Sequence, residues 1–503
     1  MRITNKMMTN TSQVNINTNK TLLDKLNTQV STQKKISRPS DDPVIAIRAL
    51  RLRSNLNEIS QYYKKNIPDA DSWLNVTESA LKTTEGVLED MYDYCVQGSN
   101  GDITASDRLK LLENLKELKN QVYSTGNSDY AGRTVFTGYR TGMPLMFKDS
   151  AQNLYSITEP LTKDSIETIK YVSGTVQVDK NNPVTTSENG VQSNNVSRIR
   201  LAYDNLDASN SKGTTSISLL DANKAVVGTI TPVIKELTGD PAVDDTYYTG
   251  VGPDECYLIA DTGELILGDN IKAQMQDPDV ASINVTYEKD NWKKDDLYPE
   301  HYFNCKDYGS ATSPKNPPID HQYTPEQIIE YDVSFNQKLR VNTLASEVYL
   351  HDVVRDVDEL IEATQKVIDC EGRISTLKKM QKDSSYTEAQ QKAISTMITA
   401  AEKEYTYLKE NMKNDFGGEI TKTQNYMDRT NLAIANCGAR GTRLELTETR
   451  MKEQQTNYTE LASKNENVDV TEVAIELASA ELAYDAALLA TGKISQQSLL
   501  NYL

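Results

Sequence analysis

The chain has 503 residues, only 38% of them apolar, and a formal charge of −18. Such a length allows about two to four domains, and the scarcity of apolar side chains suits thin layers better than one thick core. A surface this acidic repels phosphate backbones and anionic lipid, so no nucleic acid partner is expected and a membrane surface is disfavoured.

The first residues, MRITNKMMTNTSQVNIN, lack the apolar core of a secretory signal, and no stretch reaches membrane-spanning length. The expectation is a chain that stays in the cytoplasm or is exported without a cleaved signal, with no membrane insertion. Residues 1–35 are crowded with Asn and Thr, which compete with the helical backbone. A heptad is still visible in Ile16, Leu23 and Val30, with Leu26 between them. This segment is predicted to be helical only when something covers its stripe.

In Ser37-Arg38-Pro39-Ser40-Asp41-Asp42-Pro43 the prolines forbid helix just before them, while the Ser and Asp residues are suitable caps. The turn should end one helix and launch the next. From Ile45 the positions Ala49, Leu52, Leu56, Ile59, Tyr63, Asn66, Ala70, Trp73, Thr77, Ala80, Thr84, Val87, Met91 and Tyr94 alternate by four and three. That spacing keeps one face turned toward a partner and predicts a helix of about 75 Å. Pro68 should kink or split it. The run Gly98 to Asp102 breaks it, and a third helix with Leu111, Leu112, Leu115, Leu118 and Val122 should return antiparallel against it.

Between Thr134 and Arg340 the texture changes to short alternating runs, including Thr168–Val172, Ser216–Leu219, Cys256–Ile259 and Ile283–Tyr287, separated by Gly, Pro, Asn and Asp. One or two small sandwiches or barrels are expected there, with Gly309–Pro318 as a turn-rich loop. Helical periodicity returns near Val348. Residues 352–369 form one amphipathic stretch, and 373–413 read as a charged hairpin hinged at Asp383-Ser384-Ser385. After Phe416-Gly417-Gly418 a long helix carries Cys437, Leu444, Met451 and Tyr458 at intervals of seven. In the terminal helix Val473, Leu477, Ala480, Tyr484 and Ala487 repeat the rhythm, and Ile475, Leu482 and Leu489 add a second stripe. The fold class expected is α+β: long terminal helices in a coiled-coil or bundle rod, with an inserted β-rich region. The two ends should pair with each other.

Three stretches go beyond periodicity: Ser37–Pro43, Asp129–Gly138 and the ending Gly492–Leu503. Together they resemble the flagellin superfamily, and within it the hook–filament junction branch, also called the third hook-associated proteins. The segment Gly438-Ala-Arg-Gly-Thr-Arg-Leu-Glu445 is similar to that branch's C-terminal helix. The likeness covers roughly residues 1–147 and 330–503; Asp41-Asp42-Pro43 departs from the Asp-Asp-Ala-Ala-Gly run usual in filament flagellins. The resemblance implies an inner layer from residues 1–40 and 465–503, a helical rod from 41–133 and 342–464, and a solvent-facing β region at 134–341. In this scheme the 373–413 hairpin is added length.

It further implies an extracellular structural adaptor of the flagellum that forms homo-oligomers. Its partners would be a preceding hook-associated protein on one side and flagellin on the other, with a cytoplasmic export chaperone masking the C-terminal region beforehand. Filament flagellin itself, or a flagellin-like frame displaying a binding or enzymatic middle domain, are the alternatives. The assembly residues expected are Ile16, Leu23, Leu26, Val30, Val473, Ile475, Leu477, Ala480, Leu482, Tyr484, Leu489, Leu499 and Leu500. Arg38, Asp41 and Asp42 join them as possible inter-subunit ion pairs, with a local capping turn the equal alternative. The termini should gain order from neighbouring copies.

Arg48, Arg51 and Arg53 read as a solvated basic face rather than a binding patch. Five scattered cysteines (Cys95, Cys256, Cys305, Cys370, Cys437) default to buried thiols, with Cys256 and Cys305 the one pair considered for a bridge. The three histidines, His301, His321 and His351, form no metalloprotease array. His301 and Cys305 have a His-x3-Cys spacing, but a zinc site needs two more convergent ligands. No catalytic residue, metal or cofactor is expected.

Overall fold

The computed structural model describes residues 5–100, 103–180 and 190–500, except the side chains of Asn5 and of residues 494–500. In chain order come α1 (Asn5–Thr32), α2 (Pro43–Gln61), a π-helical turn (Tyr62–Asn66), α3 (Ile67–Ser99) and α4 (Ala105–Val122). The strands begin with β1 (Asp129–Tyr130), β2 (Arg133–Thr134), β3 (Ala151–Leu161), β4 (Ile166–Ser173), β5 (Gln192–Arg200), β6 (Ser216–Leu220), β7 (Val226–Ile230) and β8 (Val233–Lys235). Helix α5 (Pro241–Thr249) precedes β9 (Cys256–Ile259) and β10 (Glu264–Leu267). Helix α6 (Asp269–Met275) precedes β11 (Ser282–Trp292), β12 (Asn304–Gly309), β13 (Pro314–His321), β14 (Glu330–Ser334) and β15 (Gln337–Arg340). Helices α7 (Ala345–Val348), α8 (His351–Lys382), α9 (Glu388–Glu466) and α10 (Val470–Leu500) follow. The class is α+β, as the texture of the sequence implied. Two compact units result: residues 1–71, 331–339 and 442–503 form the first, and residues 72–330 and 340–441 the second.

In the first unit, α2 begins where it does because Asp42 caps it. Its carboxylate accepts from Val44 N at 2.9 Å and Ile45 N at 3.1 Å, and Pro43 has no N–H to leave open. The interruption expected at Pro68 takes the form of the π turn just upstream. Proline removes the donor that Lys64 O would receive, and the backbone widens there, Ile67 N bonding Tyr62 O instead. The chain stays helical from Pro43 to Ser99. The β14–β15 hairpin is held by Tyr331 Oη donating to Asp69 at 2.7 Å and Asn66 Nδ2 to Asp332 O at 2.8 Å.

In the second unit the sheets have the orders β4-β5-β10-β9-β8 and β13-β12-β3-β11-β6-β7, every pairing antiparallel except β8 with β9. Inward residues of both, among them Ile157, Ile217, Tyr287, Ile199, Leu258 and Leu265, share one apolar core with Trp292. The four alternating runs fall within β4, β6, β9 and β11. The loop expected at Gly309–Pro318 is instead partly strand: Pro314, Pro317 and Pro318 lie in β13. It is an edge strand, whose outward backbone needs no donor, so prolines are tolerated. All five cysteines are free and buried, Cys256 and Cys305 included.

Helix α4 packs along α8. Arg108 pairs with Glu371, Lys119 Nζ lies 2.6 Å from Asp358, and Tyr123 Oη donates to Leu350 O. The hinge near Asp383 is where the sequence put it, and its arms continue into longer helices. They are the end of α8 and the start of α9, and α9 runs unbroken through Gly417-Gly418. Two glycines cost about 1 kcal/mol each in a helix. The buried ring of Phe416 and buried Glu419 and Thr423 on the same helix outweigh that cost through tertiary contacts.

An ionic network joins strand to helices: Arg198 contacts Glu167, Glu264 and Glu359, and Arg200 contacts Asp356. Burial acts to raise Asp356, yet Arg200 and Lys422 outweigh it and hold the carboxyl below its ordinary range. Neighbouring Glu419 is pushed up to about 8 by burial and by the charge of Asp356.

Gly98 of α3 faces Phe416 so closely that a Cβ there would lie 2.3 Å from the ring. Gly98→Val should therefore destabilise the second unit by about 1–3 kcal/mol, since the fully buried ring has nowhere to go. Urea denaturation followed by circular dichroism measures the loss.

Candidate assembly interface

Helices α1 and α10 lie antiparallel in the first unit. Leu26, Val473 and Ala480 are buried between them, with Leu23, Val30, Val468 and Leu477 packed around. Each fully buried Leu or Val contributes about 1.5–3 kcal/mol. Farther along, Ile16 and Tyr484 are only half-buried. The two helices thus meet on the stripe read from the sequence, which one chain buries at Leu26, Val473 and Ala480 and covers in part at Leu23, Val30 and Leu477.

The second stripe of α10 is different. Ile475, Leu482 and Leu489 are 64%, 73% and 69% exposed, so none of the described residues covers them. The side chains of Leu499 and Leu500 lie outside the described residues.

Where the two helices begin to pair, a clasp holds them. Val468 N donates to Gln33 O at 3.1 Å and Lys35 N to Glu466 O at 2.8 Å. The Glu466 carboxylate accepts from Arg53 Nε at 2.7 Å and Nη2 at 2.6 Å, in a bidentate pair, and Lys34 Nζ lies 3.4 Å away. Lys34 also donates to Asn467 Oδ1 at 2.6 Å. The hydrogen bond from Arg53 is the chief cause that holds the Glu466 carboxyl below its usual range. Sequence reasoning missed this pair: it treated Arg53 with Arg48 and Arg51 as solvated, and its partner lies 413 residues away. No local pattern announces such a contact.

Arg38, Asp41 and Asp42 serve the local turn. Asp41 accepts from Ser37 N at 3.1 Å and Arg38 N at 2.8 Å, Asp42 caps α2, and the Arg38 side chain is exposed.

The histidines sit in the second unit. Carbonyl oxygens only accept, so His301 Nε2 donates to Pro144 O at 3.1 Å, and burial lowers the ring to about 4. Cys256 and Cys305 belong to the apolar core. His351 bonds Tyr203 Oη at 2.8 Å and is lowered to about 3 by burial. Among the described residues two groups bring carboxylates or histidine together, Glu300–Asp307–His321 and Asp356–Glu359–Glu419. Each is already met by cations: Arg140 and Lys315 for the first, Arg200 and Lys422 for the second. Because Arg140 Nη2 donates to His321 Nδ1 at 3.0 Å, the His321 proton is on Nε2, 3.2 Å from Glu300. That nitrogen offers no lone pair to a metal.

Residues 3–141 match the model of the bacterial flagellin N-terminal helical region. The chain carries a flagellin-type N-terminal region. This flagellin-type segment includes all of α1 to α4. The chain is 31% identical over 142 residues to flagellar hook-associated protein 3 of Salmonella typhimurium, a match covering 28% of this chain and 44% of that relative. The corresponding protein of Escherichia coli is 30% identical over the same share of each chain. A flagellin of Clostridium tyrobutyricum is 25% identical over 144 residues, covering 28% of this chain and 38% of its own. The matches thus span less than half of each relative. Flagellar hook-associated protein 3 of Legionella pneumophila aligns in structure at 13% identity and a TM-score of 0.31, over 82% of this chain and 97% of its own.

Glu466 ionises more readily in the clasp than in the unfolded chain, so it adds stability above the ordinary carboxylate range. That contribution is lost as pH falls through its depressed value. The protection of the amides in residues 470–480, measured against their intrinsic exchange rate at each pH, should fall below about pH 4. Glu466→Gln should abolish this pH dependence and weaken the clasp by about 1 kcal/mol, a modest figure because Arg53 is largely exposed. Protection factors unchanged by pH in the unsubstituted protein would show that Glu466 does not hold the ends.

Proposed function

We propose that this protein is a structural component of the bacterial flagellum that polymerises at the hook–filament junction. There it joins a preceding hook-associated protein to flagellin. The observation that carries this reading is the α10 stripe Ile475–Leu482–Leu489, apolar and uncovered, on a chain whose N-terminal segment is of flagellin type. A helix with one seam committed to α1 and a second left in water has surface that only another chain can bury. The names of the Salmonella and Escherichia relatives support the junction over other flagellar positions. The location that follows is the extracellular flagellum. No described helix is long and apolar enough to cross a membrane.

In this reading the inner layer comprises 1–40 with 465–503, the rod 41–133 with 342–464, and the outer region 134–341. Neighbouring copies complete the order of the terminal helices, because among the described residues the seam within one chain fully buries only Leu26, Val473 and Ala480. Before export, a cytoplasmic chaperone covers the sticky C-terminal helices. The protein performs no catalysis; its work is coupling through repeated helix contacts. A second reading, filament flagellin, is favoured by the Clostridium relative.

Deletion of the gene in its host should leave hooks intact while filaments fail to attach and flagellin is shed. Hooks that still bear normal filaments would exclude the junction role, and long filaments grown from the purified protein alone would favour flagellin. More narrowly, Leu482→Asp should abolish incorporation into flagella while the β signal of the second unit survives, because it sets a charge into a dry helix contact. Circular dichroism and immunoblots of isolated flagella report the two effects separately.

A further inference from the structure

In the interior of the second unit, α9 sets a carboxyl group against one of α8. Asp356 is fully buried, and the side chain of Glu419 is 5% exposed. One oxygen of each, with one of Glu359, lies within 4.8 Å of the others. Two ionised carboxylates at such range, out of water, oppose each other strongly.

The donors present satisfy one of the pair and not both. Asp356 Oδ1 accepts from Arg200 and from Lys422 Nζ at 3.2 Å, and Oδ2 accepts from Tyr426 Oη at 2.6 Å. Glu359 takes a further arm of Arg200 at 3.1 Å and one of Arg198. Arg198 also meets Glu167 and Glu264, so the cluster holds more carboxyl groups than cations. Glu419 Oε1 accepts from Lys422 Nζ at 2.6 Å, but the buried Oε2 meets no donor among the described residues. An oxygen that can only accept is costly there. A carboxyl O–H in its place is a donor, and Asp356 is the hydrogen-bond acceptor beside it.

We propose that the second unit takes up one proton when it folds, held on Glu419 Oε2 and donated to Asp356, where it latches α9 to α8 and β5. Arg200 of β5 and both Lys422 and Tyr426 of α9 converge on Asp356. A second charge beside that carboxylate competes for Lys422 and drives the helices apart. The folded chain thus holds a proton that an unfolded carboxyl gives up near 4.5, and it releases this proton only near pH 8. The latch is complete in acid, and its contribution to stability falls as pH rises through that interval.

Other titratable groups surround the pair. Burial pushes the Cys95 thiol of α3 up to about 12 and raises the Tyr123 hydroxyl of α4, so both stay neutral. Burial raises Asp352 of α8, and burial with the charge of Glu359 pushes Asp415 of α9 up to about 6. Arg200 and Arg198 outweigh burial at Glu359 and keep it ionised. In the apolar core, burial pushes Glu159 up to about 7. A comparison that changes only Glu419 cancels all of these.

Glu419→Gln makes that comparison. Its amide keeps a donor for Asp356 and an acceptor for Lys422, and has no proton to lose. Both tryptophans, Trp73 and Trp292, belong to the second unit, so their fluorescence in urea follows its unfolding in the full-length chain. The folding equilibrium constant of the unsubstituted protein, relative to the variant, should fall about tenfold per pH unit from about pH 5 to about pH 8 and then level off. A ratio that does not change with pH overturns the proposal. Should the variant not fold, infrared difference spectra of the unsubstituted protein decide. A neutral carboxyl band should outlast the titration of Glu159 and disappear near pH 8. Spectra without that later loss overturn the proposal.

Discussion

The antiparallel contact between α1 and α10 is the constraint on which the first unit depends. It requires that a chain leaving near Lys34 return near Asn467, and the backbone bridge between these residues marks the closing point. Everything between is formally one long loop. The entropy of closing a loop grows only with the logarithm of its length, so adding two sheets to the interval costs little more than adding a short turn. This is why a pairing of terminal helices tolerates so long an interval between Lys34 and Asn467. Glu466 fixes the closing point by drawing Lys34 and Arg53 to one carboxylate.

Helix α10 is apolar on two sides, which a solitary chain cannot satisfy. The inward side buries a short row of side chains, and the outward side leaves leucines in water. A strongly acidic chain keeps such a surface dispersed, because like charges oppose nonspecific contact.

The second unit is held together differently. Its sheets share an apolar core, and arginines of β5 reach carboxylates of α8 through buried ion pairs. Breaking one such pair strands a charge in low dielectric, so the geometry is specific even where its net stabilisation is small. Each histidine there already has a hydrogen-bond or ion-pair partner. The candidate function therefore falls on the helices of the first unit, where apolar surface remains uncovered.

Periodicity and punctuation alone determined a good deal: the α+β class, the seam of α10, the turn at Ser37–Pro43, and strands at β4, β6, β9 and β11. These are short-range properties, written in spacings of a few residues and in the backbone preferences of Pro, Gly and Asp. Proline and glycine misled where tertiary context overruled them. The break expected at Pro68 became a π turn just upstream, Pro314–Pro318 part of an edge strand, and Gly417-Gly418 the interior of α9. Only the folded chain decided that Arg53 binds Glu466, that α4 lies along α8, and that Leu26 is covered while Leu482 is not. Those outcomes depend on which distant surfaces arrive at the same place, and burial and pairing of charge have no local trace in the order of residues.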